Sequence, residues 1–133
     1  MVCGSIGYGG VNEIRRLYTI IGQIGFDIVD HLVEKGMDYS DIDDFRDRKD
    51  LCQKIVKHDL EYVEKADILV ISANPPSYGT AMEMLIAKDR GKKIILFAKD
   101  KVPTPWPVNF SDFVVRGEQE LFELLSQLKL SIN

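Results

Sequence analysis

The sequence predicts an α/β fold in three layers, a mostly parallel sheet of five strands between helices. Three observations lead to this prediction. Segments with strand-like and helix-like patterns alternate along the 133 residues. The apolar run at residues 68–71 has no polar alternation, which is typical of parallel strands covered on both faces. Glycines follow the helical segments at the points where strands should begin.

The first half of the chain contains two predicted strands and two predicted helices. An apolar run at residues 1–6 predicts the first strand, and a glycine-rich turn follows it. Apolar residues at helical spacing then predict a helix that Gly25 ends, before a buried strand at residues 26–29. Residues 41–50 hold eight charges and predict a solvated loop or the polar entry to a helix near residues 48–65.

The second half continues the alternation and completes a single domain over residues 1–133. Three prolines around Trp106 predict an irregular loop. The remaining predicted elements are a strand at 68–71, a helix at 79–90, strands at 93–98 and 113–115, and a helix at 118–128. We expect a flavodoxin-like or Rossmann-like sheet with strand order 2-1-3-4-5. Ligands of such sheets bind beyond the carboxyl ends of the strands, so residues 4–10 and 73–79 should carry the function.

Composition excludes several classes of protein. A net charge of −4 and a pI near 5.2 argue against binding to polymeric nucleic acid. Apolar runs stay far below the roughly 20 residues of a membrane span, and the N-terminus lacks a positively charged leader. A cytoplasmic location is therefore expected. Cys3 and Cys52 form no CxxC pair and have no histidine at zinc spacing, so neither a metal nor another cofactor is predicted.

The first candidate site is the glycine-rich segment after the first strand. It fits neither the dinucleotide-binding spacing nor the P-loop. Its backbone amides, with a helix N-terminus behind them, would form an anion site, although a plain tight turn explains the glycines equally well. The candidate binding residues are Gly4, Ser5, Gly7, Tyr8, Gly9 and Gly10.

Two acidic residues are the candidates for chemistry. Asp59 falls within the apolar stripe of the second helix, so its side chain faces a pocket or caps a neighbouring loop at the margin of the core. His58 is expected on the surface. Glu83 stands three residues after Thr80, at capping-box spacing, but it also follows a strand end where a partly desolvated carboxylate suits a nucleophile. The residues leave both interpretations open.

Asp30-His31, after the second predicted strand, would orient a substrate or form local hydrogen bonds.

These residues carry a resemblance to a known family. The segment Asp59–Asp67, an apolar strand and then Ser77-x-Gly79-x-x-x-Glu83 resemble the nucleoside 2-deoxyribosyltransferase superfamily. Within it, the chain is most similar to members that hydrolyse 2′-deoxynucleoside 5′-phosphates. Their phosphate loop resembles Cys3-Gly4-Ser5-Ile6 with Gly9-Gly10, and their Glu-His pair resembles Asp30-His31. The likeness covers about residues 2–98.

The resemblance implies an enzyme that hydrolyses 2′-deoxynucleoside 5′-monophosphates to base and deoxyribose 5-phosphate. Glu83 would be the nucleophile that carries the glycosyl intermediate, and Asp59 would protonate the departing base or hold the sugar. The substrate would contact the glycine-rich segment, His31, Ser77 and Gly79. A base-exchanging transferase and a non-catalytic nucleotide-binding module are the alternatives.

The resemblance also implies a homodimer, with Trp106 as a plausible contact. The chain departs from the family at two positions, because Met1 and Gly7 stand where the hydrolases have a Tyr and an Arg. We therefore expect a weakened preference for the 5′-phosphate.

Overall fold

The computed structural model describes residues 1–132, all but the last residue of the predicted domain. Its four strands are β1 (Val2–Cys3), β2 (Ile68–Ser72), β3 (Lys93–Phe97) and β4 (Phe113–Val115). Its five helices are α1 (Val11–Ile24), α2 (Lys49–Lys65), α3 (Tyr78–Asp89), α4 (Trp106–Asn109) and α5 (Glu118–Ile132). No helix within these residues is both long enough and apolar enough to cross a membrane.

The strands form one parallel sheet in the order β1-β2-β3-β4. Strand β2 pairs with both neighbours, since Val70 lies opposite Val2 on one side and opposite Ile95 on the other. The predicted α/β class and the parallel sheet are confirmed. All four strands end at the same edge of the sheet, which brings the loops after β1, β2 and β3 together.

Helices cover both faces of the sheet and create two apolar cores. Alternate strand residues point to opposite faces, so Val70 and Ile95 join α1 and α5 in one core. Leu69 and Ile71 join α2 and α3 in the other. This two-sided burial explains why the strands read as continuous apolar runs, and it confirms the three layers.

The predicted strand at residues 26–29 does not form, so the expectation of five strands is wrong. Without it, the remaining strands keep the predicted relative order. Asp27 and Ile28 are exposed, and β1 offers a ladder of only two residues. The segment is instead attached through a side chain, because the Tyr18 hydroxyl donates to the Val29 carbonyl (3.0 Å).

Glycine and proline residues explain where two of the other helices begin or end. Gly25 ends α1 in the left-handed conformation, with φ of 102°, a geometry that glycine adopts without strain. The proline-rich loop contains the single turn α4, because Pro107 needs no amide partner in the first turn of a helix. Helix α5 continues to Ile132, four residues beyond the predicted end.

The buried Tyr18 hydroxyl provides a test of this architecture. It accepts from the Val2 amide (3.0 Å), contacts His31 Nδ1 (2.9 Å) and holds Val29. Tyr18→Phe leaves these buried polar groups without a partner, so we expect the free energy of unfolding to fall by about 1–3 kcal/mol in urea denaturation. Tyr78→Phe, at an exposed tyrosine, is the matched control. Equal stability of the two variants would contradict this account.

Candidate active site

Helix α3 brings Glu83 to the sheet edge where the strands end. The helix is capped by Ser77, whose hydroxyl accepts from the Thr80 amide (3.4 Å). Glu83 lies in the second turn of the helix, so the capping-box interpretation with Thr80 as the cap is wrong. Its partly buried carboxylate accepts a hydrogen bond from the Cys3 thiol, with Sγ 3.8 Å from Oε2.

The surroundings of Glu83 favour its neutral form. Burial, and secondarily the negative charge of Asp59, raises the pKa of Glu83 to about 8, while the Cys3 hydrogen bond lowers it slightly. Such a carboxylate is unusually basic once it ionises, and basicity favours attack on carbon or acceptance of a proton. Perturbed carboxyl groups of this kind occur preferentially at functional sites.

Asp59 approaches Glu83 from helix α2. Its side chain is only 14% exposed, and Oδ1 lies 3.3 Å from His58 Nδ1. Burial raises the pKa of Asp59, whereas the contact with His58 opposes the shift. Two carboxyl groups from neighbouring helices therefore share a poorly solvated place, and the charge of Asp59 disfavours ionisation of Glu83.

Sequence reasoning missed Tyr39. Burial, and then the charges of Asp59 and Glu83, raises the pKa of Tyr39 to about 12, which keeps its hydroxyl protonated beside the two acids. The ring packs edge-on against Phe45, with centroids 5.3 Å apart. The segment between α1 and α2 is irregular and offers no periodicity, so nothing in its pattern distinguishes Tyr39.

His58 is buried, and the expectation of a surface position is wrong. Its ring lies 4.4 Å from that of Tyr62, centroid to centroid, and Nε2 lies 2.9 Å from a Glu34 carboxylate oxygen. Nδ1 contacts Asp59, whereas Nε2 lies close to the Glu34 carboxylate without making a hydrogen bond to any described residue. The predicted apolar stripe of α2 left His58 out, whereas the buried residues of the helix include His58 together with Ile55 and Val63.

The glycine-rich segment forms a compact turn between β1 and α1. Ser5 is buried, and its hydroxyl oxygen accepts from the Tyr8 amide (3.2 Å). A Cβ on Gly10 would lie 2.3 Å from the Ser5 carbonyl oxygen, and Gly9 has φ of 87°, so both positions require glycine. Gly7 faces open space, and the Tyr8 side chain is exposed.

This turn leaves the N-terminus of α1 available to a ligand. Gly10 caps the helix without any side-chain hydrogen bond, so the amides of the first turn have no side-chain acceptor. Gly4 packs tightly, because a Cβ there would lie 3.0 Å from the Cβ of Ser72. Glu13, in the first turn of α1, lies 3.3 Å from Lys99 Nζ. The Lys99 charge partly offsets that carboxylate.

The remaining predicted binding residues mostly make local contacts within the fold. His31 is buried against Tyr18, and burial lowers the pKa of His31 to about 4, so the ring is neutral at physiological pH. Asp30 accepts from the Leu32 amide (2.8 Å), which is the local role that the sequence left open. Ser77 caps α3, and Gly79 is exposed beside it. Thr80 is buried, with a hydroxyl that lacks a partner among the described residues.

The arrangement suits proton transfer and nucleophilic attack by carboxyl groups. Residues 1–132 contain no group of three or more acidic, histidine or cysteine side chains placed to hold a metal ion. The groups that the described residues offer for this chemistry are Glu83, Asp59 and the Tyr39 hydroxyl.

Comparisons with known proteins agree with this description. The sequence model of the family described as Nucleoside 2-deoxyribosyltransferase matches residues 9–125. Among solved structures, the chain is similar to a CMP N-glycosidase from Clostridium botulinum, with 19% identity, a TM-score of 0.54 and 98% of each chain covered. At that identity the likeness concerns the fold. The curated proteins include no match.

The raised pKa of Glu83 predicts a pH dependence of stability. Between about pH 4.5 and 8 the unfolded chain releases the Glu83 proton while the folded chain keeps it, so this residue makes folding less favourable as the pH rises. In urea denaturation, the free energy of unfolding of the wild type should fall between pH 5 and pH 8.5, and this fall should exceed that of Glu83→Gln by about 2–4 kcal/mol. Glu61→Gln, at an exposed position, should behave like wild type. Parallel profiles for all three proteins would contradict the assignment.

Proposed function

Because this chain belongs to the nucleoside 2-deoxyribosyltransferase family, we propose that it hydrolyses the N-glycosidic bond of 2′-deoxynucleoside 5′-monophosphates. The products are the free base and deoxyribose 5-phosphate. The observation that carries this proposal is the meeting of Glu83 and Asp59 in one poorly solvated place, each from a different helix. Cleavage of an N-glycosidic bond or transfer of a base is the activity of the family, and the substrate and the intermediate are the proposal.

Two carboxyl groups suffice for a double-displacement reaction. In the first step, the ionised Glu83 forms a bond to C1′ while the C1′–N bond breaks and its electron pair leaves with the base. Below about pH 8 the two acids hold one proton between them, and attack needs the form in which that proton is on Asp59, which gives it to the departing base. In the second step, water attacks C1′ and gives its proton to Asp59, which releases Glu83 and deoxyribose 5-phosphate.

Glu83 provides the first test. Glu83→Gln removes the nucleophile but keeps the shape of the side chain, so base release should fall by at least about 10³-fold. The wild-type enzyme should lose kcat/KM as the pH rises above about 8, because the two acids then lose the proton that Asp59 gives to the base. Chromatography of the released base measures both effects, and Glu61→Gln controls for the loss of one carboxylate. A fully active Glu83→Gln variant would contradict the proposal.

The transferase alternative differs only in what resolves the intermediate. A free base would take the place of water at C1′, and the description of the matched family favours this possibility. Incubation with a substrate and a second base distinguishes the two reactions, because transfer yields a swapped nucleoside. If Glu83→Gln and wild type both bind nucleotides and wild type releases no base, the non-catalytic module is correct.

The turn between β1 and α1 should bind the 5′-phosphate. The proposal assigns the contacts to the first amides of α1 and to the Ser5 hydroxyl, which still has a proton to donate. Ser77 and Gly79 at the start of α3, together with Tyr8 and His31, complete the proposed substrate contacts. The neighbouring Glu13 carboxylate opposes an anion, and Gly7 offers no cation.

We therefore expect a modest preference for the phosphate. Deoxynucleoside monophosphates should exceed the corresponding deoxynucleosides by about tenfold in kcat/KM, since a charged hydrogen bond contributes about 1.5–3 kcal/mol and no arginine is present in the turn. Ser5→Ala should reduce this ratio, whereas Thr19→Ala, on the exposed side of α1, should leave it unchanged. Equal use of both substrates by wild type and Ser5→Ala would contradict the phosphate assignment.

Exposed apolar side chains support the proposal of a homodimer. Tyr78, Met82 and Leu85 are exposed along one side of α3, the helix that carries Glu83. Trp106 is 70% exposed and stacks on Phe110. A second copy of the chain would bury such surfaces beside the candidate active site.

Light scattering at micromolar concentration should give twice the mass of the chain. Met82→Glu should shift the protein towards a monomer, because it places a charge in the proposed interface. Trp106→Ala tests the other surface separately. A monomeric wild-type protein would remove the homodimer from the proposal.

A further inference from the structure

The mechanism described above gives no role to the Cys3 thiol, which contacts Glu83. Cys3 ends strand β1 and is completely buried. Its thiol donates to Glu83, with Sγ 3.8 Å from Oε2. This contact joins the first strand to a helix 80 residues later, and it is the one side-chain hydrogen bond of Glu83 within residues 1–132. The thiol therefore acts on the same carboxylate that the proposed function uses.

The fold prevents the thiol from turning away. Cys3 lies opposite Ile71 in the sheet and points into the core that α2 and α3 cover. Apolar side chains, Met84 and Leu96 among them, occupy the rest of that core. Burial, and the nearby Glu83 carboxylate, raises the pKa of the Cys3 thiol well above its ordinary value. The group consequently remains an S–H donor at the pH where an enzyme works.

We propose that Cys3 is a positioning residue, whose S–H holds Oε2 of Glu83 and leaves Oε1 directed at C1′ of the substrate. The proposal rests on the proposed function, because it gives Glu83 the role of nucleophile. A carboxylate on a helix rotates about its side-chain bonds, and a fixed donor at one oxygen restricts that rotation before the substrate arrives. Orientation of the attacking atom contributes to the rate of the chemical step more than to substrate binding.

A thiol suits this position better than a stronger donor does. A strong hydrogen bond to the carboxylate lowers its basicity, whereas S–H is a weak donor that fixes geometry at small cost. The charged and titratable groups that face Glu83 are Cys3 from β1, Asp59 from α2 and, between α1 and α2, Tyr39. Asp59 raises the pKa of Glu83, and Cys3 lowers it. Removal of the thiol should therefore raise that pKa, and a hydroxyl in its place should lower it.

Three variants separate positioning from packing. Cys3→Ala removes the donor, and Cys3→Ser restores a donor of similar size. Val2→Ala is the matched control, because Val2 is the neighbouring buried residue of β1 and its side chain lies in the core on the other face of the sheet. Cys3→Ala should lower kcat by about tenfold with little change in KM, and Cys3→Ser should recover most of that loss. Val2→Ala should lower stability, but it should not lower kcat selectively while KM stays the same.

A titration without substrate makes the test independent of the proposed function. The carboxyl ¹³C signal of Glu83 is identified in glutamate-labelled protein by its disappearance in Glu83→Gln, and its pH midpoint is then measured. The midpoint should move to higher pH in Cys3→Ala, to lower pH in Cys3→Ser, and should stay in place in Val2→Ala. If wild type releases no base, this titration still decides whether the thiol acts on Glu83.

Two results would overturn the inference. One is an unchanged Glu83 midpoint in folded Cys3→Ala and Cys3→Ser. The other is an equal loss of kcat in Cys3→Ala and Val2→Ala with no recovery in Cys3→Ser, which would show that Cys3 only fills space. A loss of activity in Glu83→Gln together with either result would retain the proposed function and reject the role of Cys3.

Discussion

Burial of strand β2 on both faces and both edges is the constraint on which the rest of the structure depends. Its residues pair with β1 and β3, and its alternating side chains enter two different cores. A strand without a solvated face needs helices on both faces, and here α1 and α5 cover one face while α2 and α3 cover the other. Helices α2 and α3 flank β2 in the sequence and pack on the same face. That arrangement is what brings Asp59 and Glu83 together.

As a consequence, two carboxyl groups lie in surroundings that disfavour the ionised form of each. The folded protein retains the arrangement because the cores on either side of the sheet supply enough stability to offset it. His58 moderates the cost at Asp59 and the Cys3 thiol moderates it at Glu83. A site of this kind is destabilising in the free protein, and in the proposed reaction the same carboxylate would stabilise positive charge at C1′ of the substrate.

The edge of the sheet beyond β1 shows how a side chain substitutes for a strand. One buried hydroxyl, that of Tyr18, contacts β1, Val29 and His31. The segment at residues 26–31 is thereby fixed without a ladder of backbone hydrogen bonds. The chain then continues to Tyr39, whose pKa is raised by burial and by the charges of the two acids. The irregular part of the molecule thus contributes to the site through a few specific contacts rather than through regular structure.

The sequence by itself determined the elements whose evidence is local. Continuous apolar runs identified β2 and β3, and glycines marked the ends of two helices. The residues alone left the roles of Asp59 and Glu83 open, and the family resemblance made them the candidates for chemistry. Only the tertiary structure decided which of these residues meet. The Cys3–Glu83 contact, the place of Tyr39 and the burial of His58 join elements that periodicity treats separately. The strand expected at residues 26–29 failed for the same reason, since pairing depends on the partner's length, and β1 has only two residues to offer.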